Sequence, residues 1–224
     1  MKKTFINIAL LVAFAATSTF VTSCKKDDDN TTEESISSDV ITIKASDEGV
    51  GTTTWTKNNV YVLDGFVFVN DGQTLTIEPG TIIKGAAGQG ASASAIIVAQ
   101  GGKLMAEGTA TDPIIFTSVA DKIAYNDAGT IVPSTNLDQT NRGLWGGIIV
   151  LGKASSNNNP SIKSIEGIPT NESRGQYGGT EDADNSGSLK YISIRHGGTN
   201  IGADNEINGL TLGGVGSGTT VEHI

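Results

Sequence analysis

The residues with the clearest chemical potential are oxygen-bearing. The run Glu181-Asp182-Ala183-Asp184-Asn185-Ser186-Gly187 places carboxylates and a hydroxyl at alternate positions just ahead of a glycine. Alternating oxygens converge on a hard cation when glycine permits a sharp turn, so Asp182, Asp184 and Ser186 are candidate calcium ligands. The twelfth position counted from Asp182 is Ser193, which cannot supply the bidentate glutamate of an EF-hand, and no helices flank the run. A solvated acidic turn is the plainer reading of the same residues. Asp204-Asn205-Glu206 would add carboxylates if the fold brought it beside that run.

A second grouping is basic and aromatic: Lys190, Tyr191 and Arg195 follow the acidic run closely. A guanidinium can neutralise a uronate carboxylate, and a basic side chain can take up the proton beside it. Tyr191 and Arg195 are therefore the candidate ligand-binding pair, with no catalytic residue assigned. His196 precedes Gly197-Gly198 and fits a turn better than a general base, and strand parity leaves the direction of His223 open. No Gly-x-Ser-x-Gly, no His-Glu-x-x-His, no phosphate-binding Gly-Lys-Ser/Thr loop and no cysteine pair occurs. Two histidines and one cysteine do not make a zinc site. Calcium is the single cofactor that the sequence leaves open.

The elements that must position these groups are short. Between Tyr61 and Ser118 the chain reads as apolar and β-branched runs of two to five residues, cut by Gly, Asp-Gly, Pro-Gly or Asp-Pro. Such runs are strands. In Thr74-Leu75-Thr76-Ile77, Leu75 and Ile77 share the inward face. Lys103-Leu104-Met105-Ala106 repeats the arrangement with Leu104 and Ala106 inward, which gives a repeat of about thirty residues and a coil of stacked strand units. Farther on, Ile192, Ile194, Leu210 and Leu212 are expected to point inward, while Trp145 lies in a run apolar in both parities. Residues 40–60 are expected to cap the coil. Stretches 119–142, 153–188 and 197–208 break the pattern and read as long loops, which are usually where such a scaffold does its work.

The ends carry addressing information. Residues 1–23 have a Met1-Lys2-Lys3 start, an apolar run from Phe5 to Phe14 and a polar tail, the form of an export leader. The apolar run is short for a bilayer span. Residues 24–39 begin with Cys24 and continue through Lys25-Lys26-Asp27-Asp28-Asp29, a polar stretch expected to be a disordered tether reaching roughly 25 Å. The folded domain is expected over 40–224. Because Gly218 to Ile224 starts a strand and stops, a longer β-helix is expected. The net charge of −9, or −11 once Lys2 and Lys3 leave with the leader, argues against nucleic acid as a partner.

Two resemblances follow. Val21-Thr22-Ser23-Cys24 resembles a bacterial lipobox, which implies a diacylglycerol thioether on Cys24 and an acyl chain such as palmitate on its amine. The phrases LTIEPGTIIKG, GGKLMAEGTATDPIIFTS, GLWGGIIVLGKA, LKYISIRHGG and NEINGLTLGGVGSGTTVEHI resemble right-handed parallel β-helix surface lipoproteins of the Bacteroidetes type, over roughly residues 55–224. The lysine and acidic run after Cys24 is similar to the signal that sends such lipoproteins to the outer face of the outer membrane. The resemblance implies an all-β solenoid anchored by lipid and facing the cell exterior; it carries no settled activity. The expected role is non-catalytic binding of glycan or another surface through the lateral face and long loops. Two alternatives stand beside it: a polysaccharide lyase or hydrolase on the same scaffold, and a purely structural stalk.

Overall fold

The computed structural model describes residues 38–157, 161–202 and 205–224. Cys24, the leader, most of the tether and Asp204 lie outside them. The first coil holds β1 (Val40–Lys44) and β2 (Thr53–Trp55), and the second β3 (Val60–Asp64), β4 (Phe66–Val69) and β5 (Thr74–Ile77). The third holds β6 (Ile82–Gly85), β7 (Ala95–Val98) and β8 (Lys103–Glu107). The fourth begins with β9 (Ile114–Ser118), leaves through a hairpin of β10 (Ala124–Tyr125) and β11 (Ile131–Val132), and returns at β12 (Ile148–Leu151). It leaves again through β13 (Lys163–Ser164) and β14 (Gln176–Tyr177), then closes with β15 (Gly187–Lys190). The fifth holds β16 (Ile192–Ile194), a small hairpin of β17 (Asn200–Gly202) and β18 (Asn205–Glu206), then β19 (Leu210–Gly213) and β20 (Thr220–Glu222).

The coil strands stack into three parallel sheets: β1-β3-β6-β9-β16 (sheet A), β2-β5-β8-β15-β20 (sheet B) and β4-β7-β12-β19 (sheet C). The chain is a right-handed parallel β-helix. Register explains the core. On sheet A, Ile41, Tyr61, Ile83, Phe116 and Ile194 form one inward row, and on sheet B Trp55, Ile77, Ala106, Leu189 and Val221 form another. Leu75 pairs with Leu104, a repeat of 29 residues, whereas Val60 pairs with Ile82, a repeat of 22. Leu75, Leu104, Ile96, Ile114 and Val150 are fully buried. The inward assignments of Leu75, Ile77, Leu104, Ala106, Ile192, Ile194 and Leu210 all hold. Leu212 is registered against the core residue Val150 yet stays 47% exposed on the last described coil.

Two expectations are corrected. The cap expected over residues 40–60 is not separate from the coil: β1 runs parallel to β3 with Val40 opposite Val60, and β2 runs parallel to β5. The stretches 119–142 and 153–188 do leave the coil, but each carries a two-stranded hairpin and apolar residues that pack back onto it. The first carries Ile123, Tyr125 and Ile131, which pack on Val60, Ile82 and Ile115 of sheet A's outer face. The second carries Ile165, Ile168 and Tyr177, which pack on the outer residues Phe68, Ile97, Ile149 and Leu151 of sheet C. Each excursion therefore covers a different lateral face. Sheet B has no such cover among the described residues: its outer row is Thr54, Thr76, Met105, Ser188 and Thr220. No helix among them is long and apolar enough to cross a membrane.

Candidate functional site

The groove richest in charged side chains lies where the first excursion meets the end of β16. It holds about 410 Å³ and is lined by Asp121, Ser134, Leu137, Asp138, Gln139, Asn141, Arg142, Ile194, Arg195 and His196. Arg195 follows β16 in the outward parity shared by Ser193, whose Oγ accepts from its Nε at 3.0 Å. Its backbone is fixed at both groups: the N–H donates to the Phe116 carbonyl at 2.8 Å, and Trp145 Nε1 donates to its carbonyl at 2.8 Å. Trp145 itself is fully buried and stacked on Phe116, which resolves its direction.

The other wall is held by a backbone crossing between residues 141–146 and 195–199. Gly143 and Leu144 donate to the carbonyls of Gly197 and His196, and Gly198 and Thr199 donate back to Gly146 and Trp145, all at 2.7–3.0 Å. His196 sits in the left-handed region at φ 57, as a turn reading requires, and its Nδ1 lies 2.6 Å from the Asn141 carbonyl. The same crossing carries Arg142 into the groove beside Arg195. No hydrogen bond or ion pair engages the Arg142 guanidinium among the described residues, and only Nε of Arg195 has a partner.

Both carboxylates of the groove accept internal hydrogen bonds, Asp121 at both oxygens and Asp138 at one. Asp121 is buried; its Oδ2 accepts from Thr117 Oγ1 at 2.9 Å and its Oδ1 from the Ile123 N–H at 3.0 Å. Asp138 Oδ1 accepts from the N–H and Oγ1 of Thr140 at 2.8 and 2.6 Å, which holds its carboxyl below the usual range, with a smaller contribution from His196. Below the groove Lys84 Nζ donates to the Asp121 and Ile123 carbonyls, both at 2.7 Å, and burial lowers its pKa against the pull of Asp121. The arrangement sets two guanidiniums with open donors beside two carboxylates held by neutral donors, and the open guanidinium donors are the chemistry of carboxylate or sulfate capture.

The other sequence candidates fall elsewhere. Tyr191 turns the corner before β16 at φ 48 and stacks on His223, ring centroids 4.2 Å apart, so it does not share the groove with Arg195. Lys190 lies on the sheet B face between Glu107 and Glu222, at 3.7 and 3.9 Å. Asp182 Oδ1 accepts from the N–H and Oγ of Ser155, which lowers its pKa, while Asp184 Oδ2 accepts from Ser186 Oγ at 3.1 Å. The two carboxylates thus have different partners, and no three His, Cys, Asp or Glu side chains gather as a metal set among the described residues. Sequence reasoning did not single out Asp121, Asp138 or Arg142. They sit in a stretch without period, and only the crossing with 195–199 gives them a neighbourhood.

Coil, register and flanking excursions define a parallel β-helix domain. The family model for the pectate-lyase-like β-helix domain matches residues 42–224, and the chain belongs to that family. No curated protein and no solved structure matches it.

Proposed function

We propose that this protein is a lipid-anchored outer-membrane protein that binds acidic glycan without cleaving it, in the groove between Arg142 and Arg195. The observation that carries the reading is the pair of guanidiniums with open donors over carboxylates that are already bonded. A uronate supplies the two oxygens that a guanidinium fork matches. Cleavage by elimination needs a base aimed at a ring proton. Asp121 is buried with both oxygens occupied by internal donors, whereas exposed Asp138 is occupied at Oδ1 alone and is the one carboxylate of the groove left to act as that base. The anchor rests on Cys24 and its lipobox-like setting, and stable anchoring needs more than one acyl chain.

A second reading, a polysaccharide lyase acting in the same groove, is favoured by membership of a pectate-lyase-like family. Titration calorimetry with trigalacturonate, with and without calcium, separates the two when paired with the ultraviolet absorbance of unsaturated uronate. Binding that falls at least about tenfold in Arg195→Ala and in Arg142→Ala, with no absorbance change, supports binding alone. An absorbance rise lost in Arg195→Ala favours the lyase. Absence of binding under both conditions sinks both readings, and a requirement for calcium that is lost in Asp182→Asn/Asp184→Asn would support Asp182, Asp184 and Ser186 as ligands. The anchor is tested by Cys24→Ser, which should move the protein from the membrane to the soluble fraction.

A further inference from the structure

A second cleft, of about 300 Å³, opens at the far end of the edge where sheets A and C meet. Half-buried Phe66 is the accessible ring of its floor, Phe68 lies buried beneath Arg174, and Pro169, Ser46, Asp47 and Glu172 stand around them. We infer that this cleft is a carbohydrate site for an uncharged pyranose, separate from the groove at Arg195 and independent of what that groove binds.

The floor is apolar because β4 begins at the edge of sheet C, with Phe66 and Phe68 in its outward parity. Small residues leave Phe66 accessible: Ala45, Gly65 and Ala91 also line the cleft, and Phe66 is paired with Ala95 on the next coil. Gly65 has φ 90, and a Cβ there would meet Ala45 at 3.2 Å, so the edge is narrow by construction. An aromatic floor with polar groups on its rim matches a pyranose, which has C–H groups on its faces and hydroxyls at its edge.

The rim is rigid. Arg174 lies over Phe68, 3.9 Å from the ring centroid, and grips Glu172 through Nε at 2.8 Å and Nη2 at 2.6 Å. Its Nη1 donates to the Ser46 carbonyl at 3.0 Å. The Arg174–Glu172 pair is therefore internally neutral. Asp47 remains: its carboxylate is fully exposed and only 3.6 Å from Arg174 Nη2. A carboxylate with open lone pairs takes two sugar hydroxyls as donors, and the same charge repels a uronate. The coil residues of the cleft lie on the first three coils and Arg195 follows β16 on the fifth, so the two are roughly 10–20 Å apart along the axis at the usual strand spacing. One extended glycan with acidic and neutral units could engage both.

Saturation-transfer NMR tests this on the soluble domain with methyl β-galactopyranoside, methyl β-glucopyranoside and methyl α-mannopyranoside as probes. The expected result is transfer to at least one of them. Phe66→Ala should weaken it at least about tenfold, and Asp47→Asn severalfold, with Arg142→Ala/Arg195→Ala without effect. Because Asp47 is exposed, its variant keeps the fold even if Phe66→Ala does not. No transfer from any of the three probes, or transfer that survives both variants, overturns the inference. Trigalacturonate titrated into the Asp47→Asn protein keeps the two sites distinguishable: its loss would mean that they are one site and would also count against the inference.

Discussion

Replacing Trp145 by Phe tests how the coil holds the groove. The phenyl ring keeps most of the stacking on Phe116 but removes the N–H that donates to the Arg195 carbonyl at 2.8 Å. No second donor reaches that carbonyl among the described residues. An unpaired acceptor in this half-buried setting costs about 1–3 kcal/mol. Losing the pyrrole portion of a fully buried indole leaves a hole of a few tens of Å³, or about 1 kcal/mol at roughly 24 cal/mol per Å³. The sum is about 2–4 kcal/mol. For a domain of this size that lowers Tm by roughly 5–15 °C. The same change frees the Arg195 backbone, so trigalacturonate binding, measured far below Tm, should weaken severalfold. Thermal unfolding followed by circular dichroism gives the first number and calorimetry the second. A Tm shift under about 2 °C with binding intact would refute the claim that Trp145 pins the site.

Gly85→Ala should destabilise by about 1–3 kcal/mol in chemical denaturation, because its Cβ would stand 2.6 Å from Trp145 Cβ and 2.7 Å from both Trp145 Cε3 and Ser94 Oγ. Tyr125 donates to the Gly80 carbonyl at 2.6 Å, and burial pushes its phenol up from 10.0 to about 12. The folded state keeps a proton that the unfolded chain releases, so this contribution is complete below pH 10 and disappears as pH rises through 12. Tyr125→Phe should therefore be less stable than the parent by about 1 kcal/mol below pH 10, and that deficit should shrink and then reverse as pH rises from 10 through 12. Arg174→Ala removes the fork on Glu172 and the contact over Phe68, and should increase protease nicking between residues 161 and 177 while leaving the far-ultraviolet spectrum unchanged.

The coil was legible because its strands obey a period of two and its turns are punctuated by glycine. Leu75, Ile77, Leu104 and Ala106 could be placed inward from spacing alone. Trp145 could not, since Ile148 to Leu151 is apolar on both parities. The structure supplies the reason: Ile148 and Val150 face the core, while Ile149 and Leu151 are covered by Ile168 and Tyr177 from the excursion that follows β12. Val60, Ile82 and Ile115 owe their outward apolarity to Ile123 and Tyr125 in the same way. Periodicity reports that a face is covered, not what covers it. The candidate groove was half legible. Arg195 stood out beside a clean strand, whereas Arg142 joins it only through the backbone crossing at Gly143 to Trp145.

A bare solenoid unravels coil by coil, because each turn touches only its neighbours. This one is stitched across that grain. Tyr125, from the fourth coil, is bonded to Gly80 between the second and third, and Arg174, also from the fourth, is bonded to Ser46 on the first. The end coil cannot fray without breaking a contact made 128 residues later in the chain. The excursions thus convert a string of nearly independent units into one that melts together, and a single sharp unfolding transition is the signature to look for.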